Sequence, residues 1–376
     1  MDDTAEMHDM QEPHGTVIRQ RQPPHPWVAA GRDKIRFGVG RIGPIDDWPA
    51  YLQLVRLAEE LGFDSFLSYD HPTRGAECWA SLAAVAAATS KIRLGTLPSC
   101  IYYRHPALVA RLAADVDRIS RGRFMLGLGV GDDPREFAAL GLPFPGARDR
   151  LQAMEEAVQI INGVWGTQGA GGDEQPFTFH GAHFQVSGVR VAPGPLQQPH
   201  VPLLIAGGGE RVTLRQVAQY GDACNIAAHA WGGGAFTADD VRRKHEVLRH
   251  HCEAAGRPYE AILRTYLDIP VVIGKTRAAA QAKLETIPPP VRAHFQTSTL
   301  AGTPDEAIAH FRALAAAGVQ YFVVAVWGND TETLRLLGRR VLPRVARVPR
   351  EAGSRRGRRW FFGGPKHTER TKPASP

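Results

Sequence analysis

An imidazole beside a carboxylate, in "SYDHP" at residues 68–72, is the first pair in this chain equipped to move a proton. His71 could give or take a proton near neutral pH, while Asp70 could accept a hydrogen bond from a ligand N–H or orient the imidazole. Neighbours on a strand point to opposite faces, so both reach one ligand only where the chain turns, and Pro72 marks such a turn. A turn aspartate beside an exposed histidine fits the local sequence equally well. "LGVGDDPRE" (128–136) offers two glycines for close backbone approach and the carboxylates Asp132, Asp133 and Glu136. Asp133-Pro134 also reads as a helix N-cap followed by a first-turn proline. "IAGGGERVTLRQVA" places three glycines between a strand and a helix. Backbone N–H groups of Gly207, Gly208, Gly209 and Glu210 can therefore converge on an anion such as phosphate, although a glycine run also serves any tight turn. "TLPSC" (96–100) ends an apolar, β-rich run on Leu97-Pro98, where proline has no N–H to give a sheet.

These stretches recur at one kind of place, the end of a short apolar run that precedes an amphipathic helix. Strand starts near 35, 65, 92 and 123 are about one βα unit apart. The helix after "IRFGV" carries a stripe of Trp48, Leu52, Val55, Ala58 and Leu61, closed by Gly62. Pro106 opens another, with Leu108, Leu112 and Val116 expected to face inward. "PLLIAGG", "DACNIAA", "RTYLDIPVVIG" and "YFVVAVW" continue the pattern, and Thr303 with Glu306 forms a capping box for a helix from Pro304 whose buried stripe is Ile308, Phe311 and Leu314. Eight such units predict an α/β fold, a (β/α)8 TIM barrel, with a doubly wound sheet as the alternative. Active sites of barrels lie at the C-terminal ends of the strands, where the chemistry-bearing stretches fall. Three segments break the rhythm: 166–201, which contains the hairpin-like "FTFHGAHFQV" and is expected to be a lid or substrate wall; 227–238; and 286–299, whose proline run interrupts any helix.

The 376 residues are 43% hydrophobic, enough for a large core, and contain no apolar run long enough to span a membrane. Acidic residues stand at the start where an export signal needs bases, so a cytoplasmic, soluble protein is expected. Cys78, Cys100, Cys224 and Cys252 lack metal-ligand or redox spacing, so neither a disulfide nor a metal site is expected; His8, His14 and His25 read as part of a solvated leader. The net charge of +7 is not a nucleic-acid footprint of the body. Residues 344–376 hold ten Lys or Arg against two acids, a charge of +8, which leaves −1 for everything before them. The expected division is a disordered arm over 1–33, the barrel over 34–348 with its insertion at 166–201, and a basic disordered tail over 349–376.

In this order the strand endings resemble the luciferase-like flavin monooxygenase superfamily, within it the branch that uses the 8-hydroxy-5-deazaflavin coenzyme, coenzyme F420. The stretches that carry the resemblance are "LAEELGFDSFLSYDH", the run from "LAAVAAATSKIRLGTLPSC" to "AVQIINGVW", "PLLIAGGGERVTLRQVAQYGDACNI" and "GTPDEAIAHFRALAAAGVQYFVV", together spanning 35–327. The resemblance implies a barrel with an insertion after strand four, and a bulge with a cis peptide at the end of strand three against which the cofactor ring leans. That bond matches Leu97-Pro98. It implies Leu97, Pro98, Ser99, Val130 and Gly131 beside the ring, Asp70 at the ring edge and Gly207 to Glu210 around the cofactor phosphate. It also implies a proton-handling role for His71 and for Asp132, which stands where sugar-phosphate dehydrogenase members carry Glu. The expected reaction is hydride transfer between the deazaflavin and a small organic substrate in a homodimeric enzyme. A monooxygenase using reduced FMN and oxygen is the alternative, and a non-catalytic barrel binding a cofactor or nucleic acid is a third possibility of another class. Trp231, Trp327, Tyr102, Tyr103, His229 and the insertion could line the substrate pocket.

Overall fold

The structure, a computed structural model, describes residues 23–166, 176–230 and 233–346. Eight strands pair in parallel in chain order: β1 (Arg36–Ile42), β2 (Ser65–Ser68), β3 (Arg93–Thr96), β4 (Phe124–Gly129), β5 (Leu203–Ala206), β6 (Ala223–Ala227), β7 (Leu263–Asp268) and β8 (Tyr321–Trp327). β8 pairs back onto β1 over seven residues, from Arg36 opposite Tyr321 to Ile42 opposite Trp327, and β3 pairs with β4, so the sheet closes into a barrel. Its inward side chains, among them Leu67, Met125, Leu204, Leu263, Leu267 and Val323, form one cluster. The outward ones pack beneath the helices in a second cluster. The helices are α1 (Trp48–Glu60), α2 (Cys78–Ala88), α3 (Pro106–Ile119), α4 (Ala147–Gly166), α5 (Thr213–Tyr220), α6 (Ala238–Ala254), α7 (Pro304–Ala316) and α8 (Thr331–Leu336). The α7 capping box is present in both directions, with Ile308, Phe311 and Leu314 buried. None of the described helices is long and apolar enough to cross a membrane.

Two helices are turned from their expected faces. On α1 the buried residues are Tyr51, Leu54, Val55 and Ala58, while Trp48 is 40% exposed. Tyr51 takes the inward place because its ring packs edge-on against Phe66 and lies below the Arg41 guanidinium. On α3, Pro106 does open the helix and Val116 is buried as expected, but Leu108 faces out and Val109, Ala110, Ala113 and Ala114 pack inward, small residues that let the helix approach closely.

Part of the expected arm is built into the barrel. Residues 1–22 and 347–376, and so the whole of the basic tail, lie outside the described residues. Pro26–Ala29, however, form a short helix capped by His25, and Trp27 and Val28 are buried in the inward cluster. The Trp27 ring meets Tyr321 edge-on and lies near the guanidinium groups of Arg36 and Arg93. All three belong to strand starts, so among the described residues the indole plugs the N-terminal end of the barrel, opposite the end where the strands finish. Trp27→Ala is expected to cost about 3–5 kcal/mol of stability, measured by chemical denaturation, because the vacated space cannot collapse between closed strands.

The described part of the insertion is also placed differently from expectation. Phe177–His180 and Gln185–Val189 do form the hairpin. Glu156 of α4 accepts from the backbone of Ala182, His183 and Phe184 at its tip, and Asp117 of α3 accepts from Leu196 and Gln197 further on. These two carboxylates tie residues 176–201 to the flank of the barrel, not across its mouth. The mouth is crossed instead by the third irregular segment. After Arg277–Thr286 the helix stops at Ile287-Pro288, and Pro289–His294 starts afresh. Phe295 then packs on the inward cluster with Tyr69 and Trp327.

Candidate active site

β3 does not stop at Leu97-Pro98; it jogs there. Gly95 pairs with Met125 and Ser99 with Leu128, so four steps on one strand match three on the other, a one-residue bulge. The Leu97-Pro98 peptide is cis. Thr96 bridges the break, its hydroxyl donating to the Gly127 carbonyl at 2.7 Å and accepting from the Gly127 N–H at 3.0 Å. The Pro98 ring lies over Gly129, where a Cβ would stand 2.5 Å from the proline Cγ. Only glycine there lets the bulge seat.

Asp70 is occupied by that bulge. It is 3% exposed; its Oδ2 accepts from the Ser99 hydroxyl at 2.8 Å and from Arg104 Nη1 at 2.7 Å, and Arg104 Nη2 reaches Oδ1 at 3.3 Å. Of its two expected uses, orienting the imidazole is not realised, since His71 Nδ1 meets Glu136 instead. Its charge is used to hold Ser99 and Arg104, which places it behind the bulge.

The imidazole is oriented by Glu136. His71 Nδ1 lies 2.5 Å from Glu136 Oε2, which also accepts from the Tyr103 hydroxyl at 3.0 Å. The other oxygen accepts from the Thr73 N–H at 3.1 Å and the Thr73 hydroxyl at 2.8 Å. Four donors thus saturate a carboxylate that is 2% exposed. Burial pushes Glu136 up, but the hydrogen bonds from His71 and Thr73 outweigh it and hold the carboxyl below its ordinary range. Burial, then Cys100 and Glu136, pushes the Tyr103 phenol up, so it stays a donor. An N–H at Nδ1 donates to that anion, which leaves Nε2 as the ring atom able to exchange a proton with a ligand. No described residue bonds Nε2, and the side chain is 28% exposed. Because the Glu136 carboxyl is lowered on folding, its contribution to stability is complete above the unfolded value of about 4.5 and is lost as pH falls through the lower folded value. Denaturation midpoints measured downward from neutral pH should show this acid loss, and Glu136→Gln should lack that share of it.

Of the remaining carboxylates in "GDDPRE", Asp133 caps Pro134–Ala139 and pairs with Arg74 and Arg135, as an N-cap reading requires. Asp132 is exposed at the mouth. Burial first, then the neighbouring His229 and Arg74, holds His294 below its ordinary range, against the opposing pull of Asp132. His229 Nε2 meets the His294 carbonyl at 2.9 Å, and the two rings are 5.0 Å apart. Trp327 covers Gly43 and Tyr102 packs on Phe137. Trp231 lies outside the described residues.

From Val130, which follows Gly129 beneath Pro98, a cleft of about 520 Å³ runs to the glycine turn. Its lining includes Gly207, Gly208, Gly209, Glu210, Thr213 and Lys244. The turn is pinned at its edges: Gly207 N–H donates to the Asn225 carbonyl and the Gly209 carbonyl accepts from Leu214, each at 3.0 Å. Lys244 Nζ donates to the Gly208 carbonyl at 2.8 Å. Among the described residues no acceptor meets the backbone N–H groups of Gly208, Gly209, Glu210, Arg211 or Val212, five donors in succession ahead of α5. Such a run of open N–H groups suits an anion. Gly233, from the loop after β6, lies directly against Gly208.

The structure thus brings His71, Leu97, Pro98, Ser99, Val130, Gly131 and the glycine turn to one end of the barrel, leaves Asp132 on its rim and sets Asp70 behind it. Sequence reasoning missed the pairing of Glu136 with His71, the roles of Thr73, Tyr103 and Arg104, and Lys244. Glu136 had a signal, since a residue three beyond an N-cap in a helix that opens at a strand end turns back toward the mouth. Lys244 had none within "VRRKHEV", a stretch of ordinary helix-surface composition.

Residues 33–297 match the family model described as luciferase-like monooxygenase. The chain is 30% identical over 250 residues to the pyrimidine monooxygenase RutA of Acinetobacter baylyi, 62% of each chain. It is 33% identical over 217 residues to the F420-dependent glucose-6-phosphate dehydrogenase of Kineococcus radiotolerans, 55% of this chain and 59% of that one. The matches thus span about three fifths of the length of these curated relatives. Its fold is like that of an F420-dependent secondary alcohol dehydrogenase solved with an F420-acetone adduct, with a TM-score of 0.69, 19% identity, and 83% of this chain and 99% of that one covered.

Proposed function

The chain belongs to the luciferase-like monooxygenase family, and from that premise we propose that it is a coenzyme F420-dependent oxidoreductase, passing a hydride between the deazaflavin and a small organic substrate. The observation that carries this reading is the His71–Glu136 pair, an imidazole held through Nδ1 whose Nε2 belongs to the open end of the barrel. The residues present fit such a coenzyme. The bulge of Leu97, Pro98 and Ser99, with Val130 and Gly131, offers a wall for a flat ring, and the five open N–H groups from Gly208 to Val212 suit its phosphate. When bound, the coenzyme supplies the carbon that accepts or returns a hydride.

The protein's own share is positioning and proton handling. His71 Nε2 takes the proton from a substrate hydroxyl as its carbon gives up a hydride, and returns it in the reverse direction. Glu136 keeps Nδ1 protonated throughout and stabilises the imidazolium, while Thr73 and Tyr103 hold Glu136 in place. Phe295, Tyr69 and Trp327 exclude water from the mouth, and we assign Asp132 to the substrate side of its rim. Pairing of two copies through barrel helices belongs to the same proposal.

Similarity to a pyrimidine monooxygenase favours the second reading, a flavin site that uses oxygen. Oxygen uptake separates the two. The hydride reading expects the protein to leave the oxidation of reduced FMN by air unchanged and to protect no oxygen-derived product. Protein-dependent oxygen consumption coupled to substrate hydroxylation would overturn it.

A further inference from the structure

The lining of the glycine cleft contains one acid and one base, Glu210 and Lys244, and they are bonded to each other. The Lys244 side chain is 5% exposed; its Nζ, already on the Gly208 carbonyl, lies 3.3 Å from Glu210 Oε1. Arg243 holds the same oxygen from the solvent side and also reaches Asp240 at 3.5 Å. Glu210 keeps 32% of its side chain exposed, in the same turn as the open N–H groups. Arg211 is exposed and lies outside the lining. An anion entering the cradle therefore meets no unpaired lysine. It meets backbone dipoles, equivalent to about half a positive charge at a helix start, beside a side-chain cluster in which Lys244 and Arg243 are balanced by Glu210 and Asp240.

That balance accepts one negative charge more readily than two. A phosphomonoester carries about −1.5 to −2 at neutral pH, whereas a phosphodiester carries one. We propose that Glu210 is a charge filter, through which the cleft selects a cofactor whose tail continues through a phosphodiester over one that ends in a phosphomonoester. The proposal rests on the reading that this cleft holds the cofactor tail, and it separates the two cofactor classes on chemistry distant from the ring.

Two matched ligand pairs test it: FMN with the methyl ester of its phosphate, and 8-hydroxy-5-deazariboflavin phosphate with its methyl ester. Within each pair the ring and polyol are identical and only the phosphate charge differs. Fluorescence titration of the wild-type protein should show the methyl ester binding more tightly than the monoester. Glu210→Gln should move the ratio of the two dissociation constants toward the monoester by about fivefold, the size of one charge contact at a water-exposed site. Glu210→Asp, which keeps the charge, should retain the wild-type ratio. An unchanged ratio in Glu210→Gln, or a wild-type preference for the monoester, overturns the filter while leaving the cofactor reading intact. Failure of both rings to bind the wild-type protein in either ester form removes that reading, and the filter with it.

Discussion

His71→Ala should lower turnover of the cofactor-saturated protein by about 10²- to 10⁴-fold, the range that a positioned acid–base group contributes. Cofactor affinity should hardly change, because the phosphate cradle lies beyond Val130 and the bulge is held by Asp70 and Arg104, none of which touches the imidazole. Glu136→Gln should fall between wild type and His71→Ala. A neutral amide can still reach Nδ1 but stabilises no imidazolium, and its NH2 group replaces one of two oxygens that now accept from two donors each. The pH profile separates the two cases: the base-dependent limb should vanish in His71→Ala and shift in Glu136→Gln. Full turnover in His71→Ala would mean that the proton leaves by another group, and Asp132 on the rim would be the next to replace.

Gly233→Ala should damage binding with little effect on the fold. Gly233 has φ +99°, and a Cβ there would stand 2.4 Å from the Gly208 Cα, a contact with backbone that no rotamer can relieve. Strain of this kind costs about 1–3 kcal/mol. Because the contact falls on the turn that presents the open N–H groups, the two loops must part there, so a roughly 5- to 100-fold loss of cofactor affinity is expected together with a modest lowering of the thermal unfolding midpoint. Unchanged affinity would mean that the phosphate is held elsewhere.

The barrel was legible because its strands and helices alternate with a regular length and because capping signals such as Thr303 with Glu306 are local. What failed were the judgements that depend on neighbours distant in sequence. Tyr51 displaces Trp48 from the buried face of α1 because Phe66 and Arg41 offer it a seat, and neither is visible from the helix itself. Residues 23–33 read as a leader because they carry prolines and charges; Trp27 is buried because Tyr321, Arg36 and Arg93 converge on it from three strands. The site divides in the same way. Glycines, Pro98 and His71 could be placed at one end of the barrel from the sequence because each closes a strand-like run. Of the two uses open to Asp70 in the sequence, a ligand N–H or the imidazole, the second is not made: Asp70 holds Ser99 and Arg104, and His71 pairs with a glutamate 65 positions away.

Calorimetric titration of the apoprotein with coenzyme F420 and, separately, with FMN bears most directly on the central claim that this barrel is a deazaflavin hydride-transfer site. The account predicts a saturable enthalpy with F420, weakened by Gly233→Ala and insensitive to His71→Ala, and much weaker binding of FMN. Tight FMN binding with none to F420 would contradict it and make the protein an oxygen-using flavin enzyme.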